Sequence, residues 1–165
     1  MKVNYFGTVA LTKAVLPSMI KRKQGRILCI GSVQGKFGIP QRSAYAASKH
    51  ALQAFCDSLR AEMASNNVKV TLISPGHINT SLSLNAFTGS GQKYGKMDAA
   101  TADGADRFEM SKEILRRVLS DGKDVILAPF AARLAYYLRF LCPSLYFWII
   151  EQRANKLKKE KTKAA

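Results

Sequence analysis

Acidic residues are scarce: 11 Asp and Glu stand against 26 Lys and Arg, for a net charge of +15. Cysteine is scarcer still, and the three present (Cys29, Cys56, Cys142) are an odd number without framework spacing. Cys29 falls in a strand-like run and Cys56 in a helix-like one, so both read as reduced thiols and a disulfide scaffold is excluded. The two histidines, His50 and His77, are isolated, and no metal-ligand spacing occurs, so no metal is expected. The first residues lack an apolar core and a cleavage site, so a secretory signal peptide is not expected. Base-reading motifs and aromatic–basic interleaving are missing, and no nucleic-acid partner is expected. The glycines at 89, 91 and 95 follow no strand in a βαβ setting, which rules out a phosphate-binding fingerprint there.

Hydrophobic residues make up 47% of the 165, enough for the core of one domain. Val3, Phe6, Leu11, Val15, Met19 and Ile20 follow a helical period over 3–23, with Pro17 as a kink and Gly25 as the stop. Residues 26–32 (Arg-Ile-Leu-Cys-Ile-Gly-Ser) read as a buried parallel strand. Gly35, Gly38 and Pro40 punctuate the loop 33–42. Ala44, Ala47, Ala51, Phe55, Leu59 and Met63 recur every three or four residues, giving a long helix over 43–65. A second strand is expected at 68–74, stopped by Pro75-Gly76, and a last short one at 124–128. Between them, 81–108 is turn-rich and small-polar, and 110–120 is an amphipathic helix with Ser111 as N-cap and Asp121-Gly122 as stop.

The chemistry concentrates in Ser43-Ala44-Tyr45-Ala46-Ala47-Ser48-Lys49. On a helix, Tyr45 and Lys49 share a face, four residues apart. An ammonium beside a phenol favours the phenolate, because opposite charges stabilise each other, and so makes the phenol a readier proton donor. Ser32, thirteen residues before Tyr45 at a strand end, adds a hydroxyl, and the two could hold a carbonyl oxygen between two donors. Tyr-x-x-x-Lys also arises by chance in helices, and Asn4 alone suits a helix start.

Taken together, Asn4, Ser32, Tyr45-x-x-x-Lys49 and Pro75-Gly76-x-x-x-Thr80 resemble the short-chain dehydrogenase/reductase family, whose signature has these residues in this order. The resemblance covers 1–128, the second half of that family's domain. It implies an α/β fold: the C-terminal half of a Rossmann-type doubly wound parallel sheet of about three strands, with an added helical segment over 129–165. It implies catalytic roles for Asn4, Ser32, Tyr45 and Lys49, and cofactor contacts from Tyr45, Lys49, Pro75, Gly76, Ile78 and Thr80. Ser32, Gln34, Ile39 and Tyr45 are the implied substrate contacts, under a lid at 81–108. The implied reaction is NADP(H)-dependent reduction of a hydrophobic or lipid ketone, an acyl- or alkyl-dihydroxyacetone phosphate being one such type. The residues that choose NADP over NAD do not occur in the chain, so NAD(H) stays open.

The same resemblance implies a homodimer through helices 3–23 and 43–65, although those faces can also pack on their own sheet. The family's Gly-rich turn and nucleotide-binding half are missing from the 165 residues. A truncated product is therefore expected, with little activity alone or with a modulating role beside full-length subunits. Its first strand should present an exposed apolar edge.

Beyond residue 128 the chain turns aromatic and basic. Phe130 to Ile150 is apolar but broken by Pro143 and holds Arg133 and Arg139. It suits an amphipathic segment in a membrane interface, or a helix packed over the lid or a dimer partner. Residues 151–163 contribute +4, six basic against two acidic, a tail suited to an anionic membrane or to solvent. The ending Lys161-Thr162-Lys163-Ala164-Ala165 resembles a retrieval signal. An endoplasmic reticulum membrane location is expected, with the peroxisomal membrane as the alternative.

Overall fold

The computed structural model describes residues 1–88 and 90–163, with side chains to 159. Strands β1 (Gly25–Ile30), β2 (Val68–Pro75) and β3 (Asp124–Leu127) form a parallel sheet in that order. Ile27 stands opposite Val70, Cys29 opposite Leu72, and Ile73 opposite Val125. Because successive strand residues face opposite sides, Ile27, Cys29, Val70 and Leu72 share one face. There they meet Leu52, Cys56 and Leu59 of α2 (Ser43–Glu62) and Leu16, Met19 and Ile20 of α1 (Thr8–Lys21). The thiols of Cys29 and Cys56 are free and buried in this core.

On the other face, the Arg26 guanidinium donates to the Val118 carbonyl of α4 (Arg107–Leu119) and to Asp121, at 2.6 Å in the latter case. Leu28 and Ile30 lie on that side and stay 40% and 44% exposed. Among the described residues β1 is an edge strand, as expected of a sheet this narrow.

Three local expectations are corrected. The 3–23 helix begins as a π-helical turn, Lys2–Gly7, and only then becomes α1, which contains Pro17 without ending there. Gly25 is not the helix stop. Lys23 takes the left-handed conformation (φ 49°), and Gly25 opens β1 because the Met19 side chain lies on it, 2.6 Å from where a Cβ would be. Ser111 is not the N-cap of α4: its hydroxyl bonds back to the Arg107 carbonyl inside the helix. Asp106 caps instead, its carboxylate accepting from the amides of Phe108 and Glu109, because a cap must stand ahead of the first turn's unpaired N–H groups.

The C-terminal segment forms α5 (Phe130–Leu141) and α6 (Pro143–Lys163). Their inner residues build a second core on Val33 and Phe37, with Tyr146 buried at its centre. The Tyr146 hydroxyl donates to the Gly38 carbonyl at 2.6 Å. The retrieval-like motif at 161–165 lies outside the described side chains, and Gly89 of the turn-rich stretch outside the described residues.

Candidate active site

All three strands point their carboxyl ends the same way, and Ser32, Lys49 and Gly76 lie at that end. In open parallel sheets this end carries the ligand crevice. After β1, the Gly31 amide still bonds to the Ile73 carbonyl at 2.7 Å. Ser32 then turns the chain: its backbone is extended and its Oγ accepts from the Gln34 amide (3.2 Å), capping the 3-10 turn Val33–Gly35.

That turn rests directly on α2. A Cβ on Gly35 would sit 2.8 Å from the Lys49 carbonyl oxygen, so only glycine permits the approach. Next to it, Lys36 is buried and pairs with Asp124 at the start of β3. Gln34 is buried as well, and its Oε1 has no hydrogen-bond partner among the described residues.

Tyr45 and Lys49 occupy the first two turns of α2. The Lys49 ammonium lies 5.7 Å from the centre of the Tyr45 ring and donates to the Ile30 carbonyl at 2.9 Å. Burial pushes the Lys49 ammonium below its usual range, partly offset by Cys29 nearby. The depressed value means the unfolded chain holds this proton to higher pH than the folded one. Stability therefore rises as pH climbs through the folded pKa toward the ordinary lysine value. Lys49→Met is accordingly expected to leave the urea midpoint at neutral pH unchanged or raised, and to flatten the rise in stability on the alkaline side. A clear fall in midpoint would show the ammonium to be structural instead.

Asn4 reaches the same helix from the π-helical turn. Its Nδ2 donates to Ser48 Oγ (3.2 Å), and Ser48 donates to the Tyr45 carbonyl (2.7 Å). Ser48 was not singled out from the sequence. Its signal was a small polar residue three positions after Tyr45, on a face that turns out to be buried.

The segment after β2 packs on the end of β3 and on the 99–105 stretch. The Gly76 amide bonds to the Leu127 carbonyl (2.9 Å). Ile78 pairs with Ala105, and the Asn79 side chain donates to the Ala102 carbonyl of the short helix α3 (Ala99–Ala102) at 3.0 Å. A Cβ on Gly104 would lie 2.8 Å from the His77 carbonyl carbon, so this contact again depends on glycine. Arg42, just before α2, pairs with Asp98 at 2.8 Å, tying the 81–108 stretch to the helix that carries Tyr45. Burial, together with Arg42 and Arg153, holds the His77 imidazole below its usual value. Asn79, Gly104 and Arg42 had no motif to announce them.

Asn4, Ser32, Gln34, Tyr45 and Lys49 are thus assembled around the end of β1. Pro75 ends β2, and Gly76, Ile78 and Thr80 follow it. Ile39 packs on the second core beside Phe37 and Tyr146. A nicotinamide and its ribose suit what is present, since the Lys49 ammonium has spent one N–H on Ile30 and has two more to give. A strand–glycine turn–helix cradle for a pyrophosphate has no counterpart among the described residues.

A Tyr–Lys pair at the carboxyl end of a parallel sheet, with a Ser-bearing turn and a Pro-Gly segment beside it, is what the sequence resemblance implies for an oxidoreductase. The family model for short chain dehydrogenases matches residues 1–90, and the chain belongs to the short-chain dehydrogenase/reductase family. Within it, the chain is similar to the dehydrogenase/reductase SDR family protein 7-like of Anopheles gambiae, at 68% identity over 157 residues, 95% of this chain and 50% of that one. Dehydrogenase/reductase SDR family member 7B of Mus musculus is 54% identical over 162 residues, 98% of this chain and 50% of that one. The chain spans about half the length of the curated relatives it matches. Among solved structures, a short chain dehydrogenase from Burkholderia cenocepacia in complex with NADP superposes with a TM-score of 0.72. It is 24% identical, and the match covers 91% of this chain and 57% of that one.

Proposed function

We propose that these residues are the proton-donating half of an NADP(H)-dependent reductase of a hydrophobic or lipid ketone. The observation that carries this is the Tyr45–Lys49 pair fixed against the carboxyl end of β1 by the Lys49–Ile30 hydrogen bond. When bound, a nicotinamide supplies the hydride. Tyr45 gives its proton to the ketone oxygen as charge develops there. Ser32 donates to the same oxygen: its Oγ already accepts from Gln34, which leaves its own O–H to point at substrate. The remaining Lys49 N–H groups hold ribose hydroxyls. Asn4 supports the relay by bonding Ser48, which keeps the turn carrying Tyr45 in place. Ile78 and Thr80, after the Pro75-Gly76 turn, border the nicotinamide, and Gln34 presents an unpaired carbonyl oxygen to a donor on the substrate. The 81–108 stretch, tied down through Arg42 and Asn79, acts as the lid. An acyl- or alkyl-dihydroxyacetone phosphate is one ketone of this type.

Among the described residues no strand–glycine turn–helix cradle for the cofactor's phosphates occurs, and turnover by the 165 residues alone is expected to be negligible. Joining them to the part of the Anopheles relative that lies outside the match should restore NADPH oxidation dependent on a hydrophobic ketone. Saturable NADPH-dependent turnover by the 165 residues alone would falsify the first expectation. A folded, joined protein inert toward every ketone would sink the reductase reading.

A second reading is non-enzymatic: the chain pairs with full-length subunits and modulates them. Leu11 and Val15, one turn apart and exposed on α1, favour it. It expects co-purification with such a subunit at lowered activity.

A further inference from the structure

Helices α5 and α6 carry more apolar surface outward than they use inward. Inward, Ala132, Ala135, Tyr136 and Leu138 of α5 pack against the second core, as do Tyr146 and Ile150 of α6. Outward, Phe130, Leu134, Tyr137 and Leu141 recur every three or four residues along α5, and Phe130 and Leu141 are 77% and 81% exposed. Leu145, Trp148 and Ile149 do the same on the first turns of α6. Continuing along that side of α6, the residues become Gln152, Lys156 and Lys159, all exposed. Single apolar side chains on a surface are ordinary, but two adjoining aromatic stripes on consecutive helices need a cover.

We infer that this face docks on the surface of an anionic phospholipid bilayer. The outward stripes enter the boundary between headgroups and acyl chains, and Lys156 and Lys159 meet headgroup phosphates. Charge selects the bilayer over a protein partner. Lysine is depleted from protein–protein interfaces, whereas an interfacial helix pairs an aromatic face with lysine and arginine. Residues 151–163 hold six basic side chains against two acidic ones, in a chain of net charge +15. Arg139 shows the matching geometry, its guanidinium 4.9 Å from the centre of the Phe147 ring, a cation lying along apolar surface. Among the described residues no helix is long and apolar enough to cross a membrane, so the contact is with one leaflet. Tyr146 makes the docking rigid with respect to the rest: it bonds Gly38 from the inner side of α6.

Trp148 is the chain's single tryptophan and lies in the proposed contact, so its fluorescence reports directly. The full chain is mixed with phosphatidylcholine vesicles, with and without phosphatidylserine. With phosphatidylserine, Trp148 emission moves to shorter wavelength, brominated lipid quenches it, and the chain sediments with the vesicles. Phosphatidylcholine alone binds far less. Lys156→Glu with Lys159→Glu weakens binding by at least about tenfold, from about fivefold per basic residue near the surface. Leu134→Asp with Leu141→Asp removes the quenching while far-UV circular dichroism is kept. The unmutated chain decides the matter if a variant fails to fold: no quenching by brominated lipid overturns the proposal. So does sedimentation unchanged in the Leu134/Leu141 variant, which marks adsorption by charge alone. A blue shift that grows with protein concentration in the absence of vesicles overturns it too, since a second copy then covers the face.

Discussion

Tyr45→Phe, made in the protein joined to the part of the Anopheles relative outside the match, is expected to lower kcat by about 10²–10⁴-fold, the usual contribution of a positioned general acid. The Michaelis constant for the ketone should change little. The substitution removes one hydroxyl and keeps the ring, so the packing of α2 and the Lys49–Ile30 bond survive. A loss confined to kcat marks the removal of an interaction made only in the transition state. Ser48→Ala is the informative companion. Ser48 never meets substrate in the proposed chemistry; it links Asn4 to the Tyr45 carbonyl. Its loss should blunt the rate without abolishing it. Equal effects from both variants would mean that Tyr45 matters as scaffold and not as acid.

The second large effect is on stability. Asp124→Asn is expected to destabilise the fold by about 3 kcal/mol, the low end of what breaking a buried ion pair costs. The Lys36 side chain is only 1% exposed, and Asp124 is the carboxylate that meets its ammonium. Asp124 itself is about a third exposed, which moderates the figure. Neutralising it leaves a cation in the interior, against the turn that carries Ser32. The double replacement Lys36→Met with Asp124→Leu should recover most of the loss, because a hydrophobic pair of similar volume replaces a buried ion pair at little or no cost. Urea unfolding reads both. If single and double variants lose the same amount, the pair is not what holds the turn to β3.

The strands and helices were legible because their signals are local. β2 lies within a residue of its expected bounds: Val, Leu and Ile suit a buried pleat, and Pro75-Gly76 must end it. α2 follows its alanine-rich period to Glu62. Cap and stop residues were less legible. Asp106 and Ser111 are both good caps by composition, and their difference lies in where the first unpaired amides fall. Lys23 in place of Gly25 was hidden for a related reason, since Met19, on the preceding helix, occupies the space at Gly25.

Ile39 shows what sequence leaves open. The loop after Ser32 offers several apolar side chains, and no local pattern says what each packs on. Ile39 packs on Phe37 and Tyr146, and Tyr146 comes from more than a hundred residues later, as does its bond to Gly38.

By itself, the sequence determined the strands and helices, the sharing of one helix face by Tyr45 and Lys49, and, through its motifs, the resemblance to its family. The facing of Tyr45 and Lys49 rests on spacing along the chain, which helix geometry converts directly. Only the tertiary structure decided what holds Ser32, Tyr45 and Lys49 in place: Gly35 seated on Lys49, Asn4 bonded to Ser48, and Lys36 paired with Asp124. Each joins segments brought together by strand order and register, and no local spacing encodes which distant atom will be within hydrogen-bond reach.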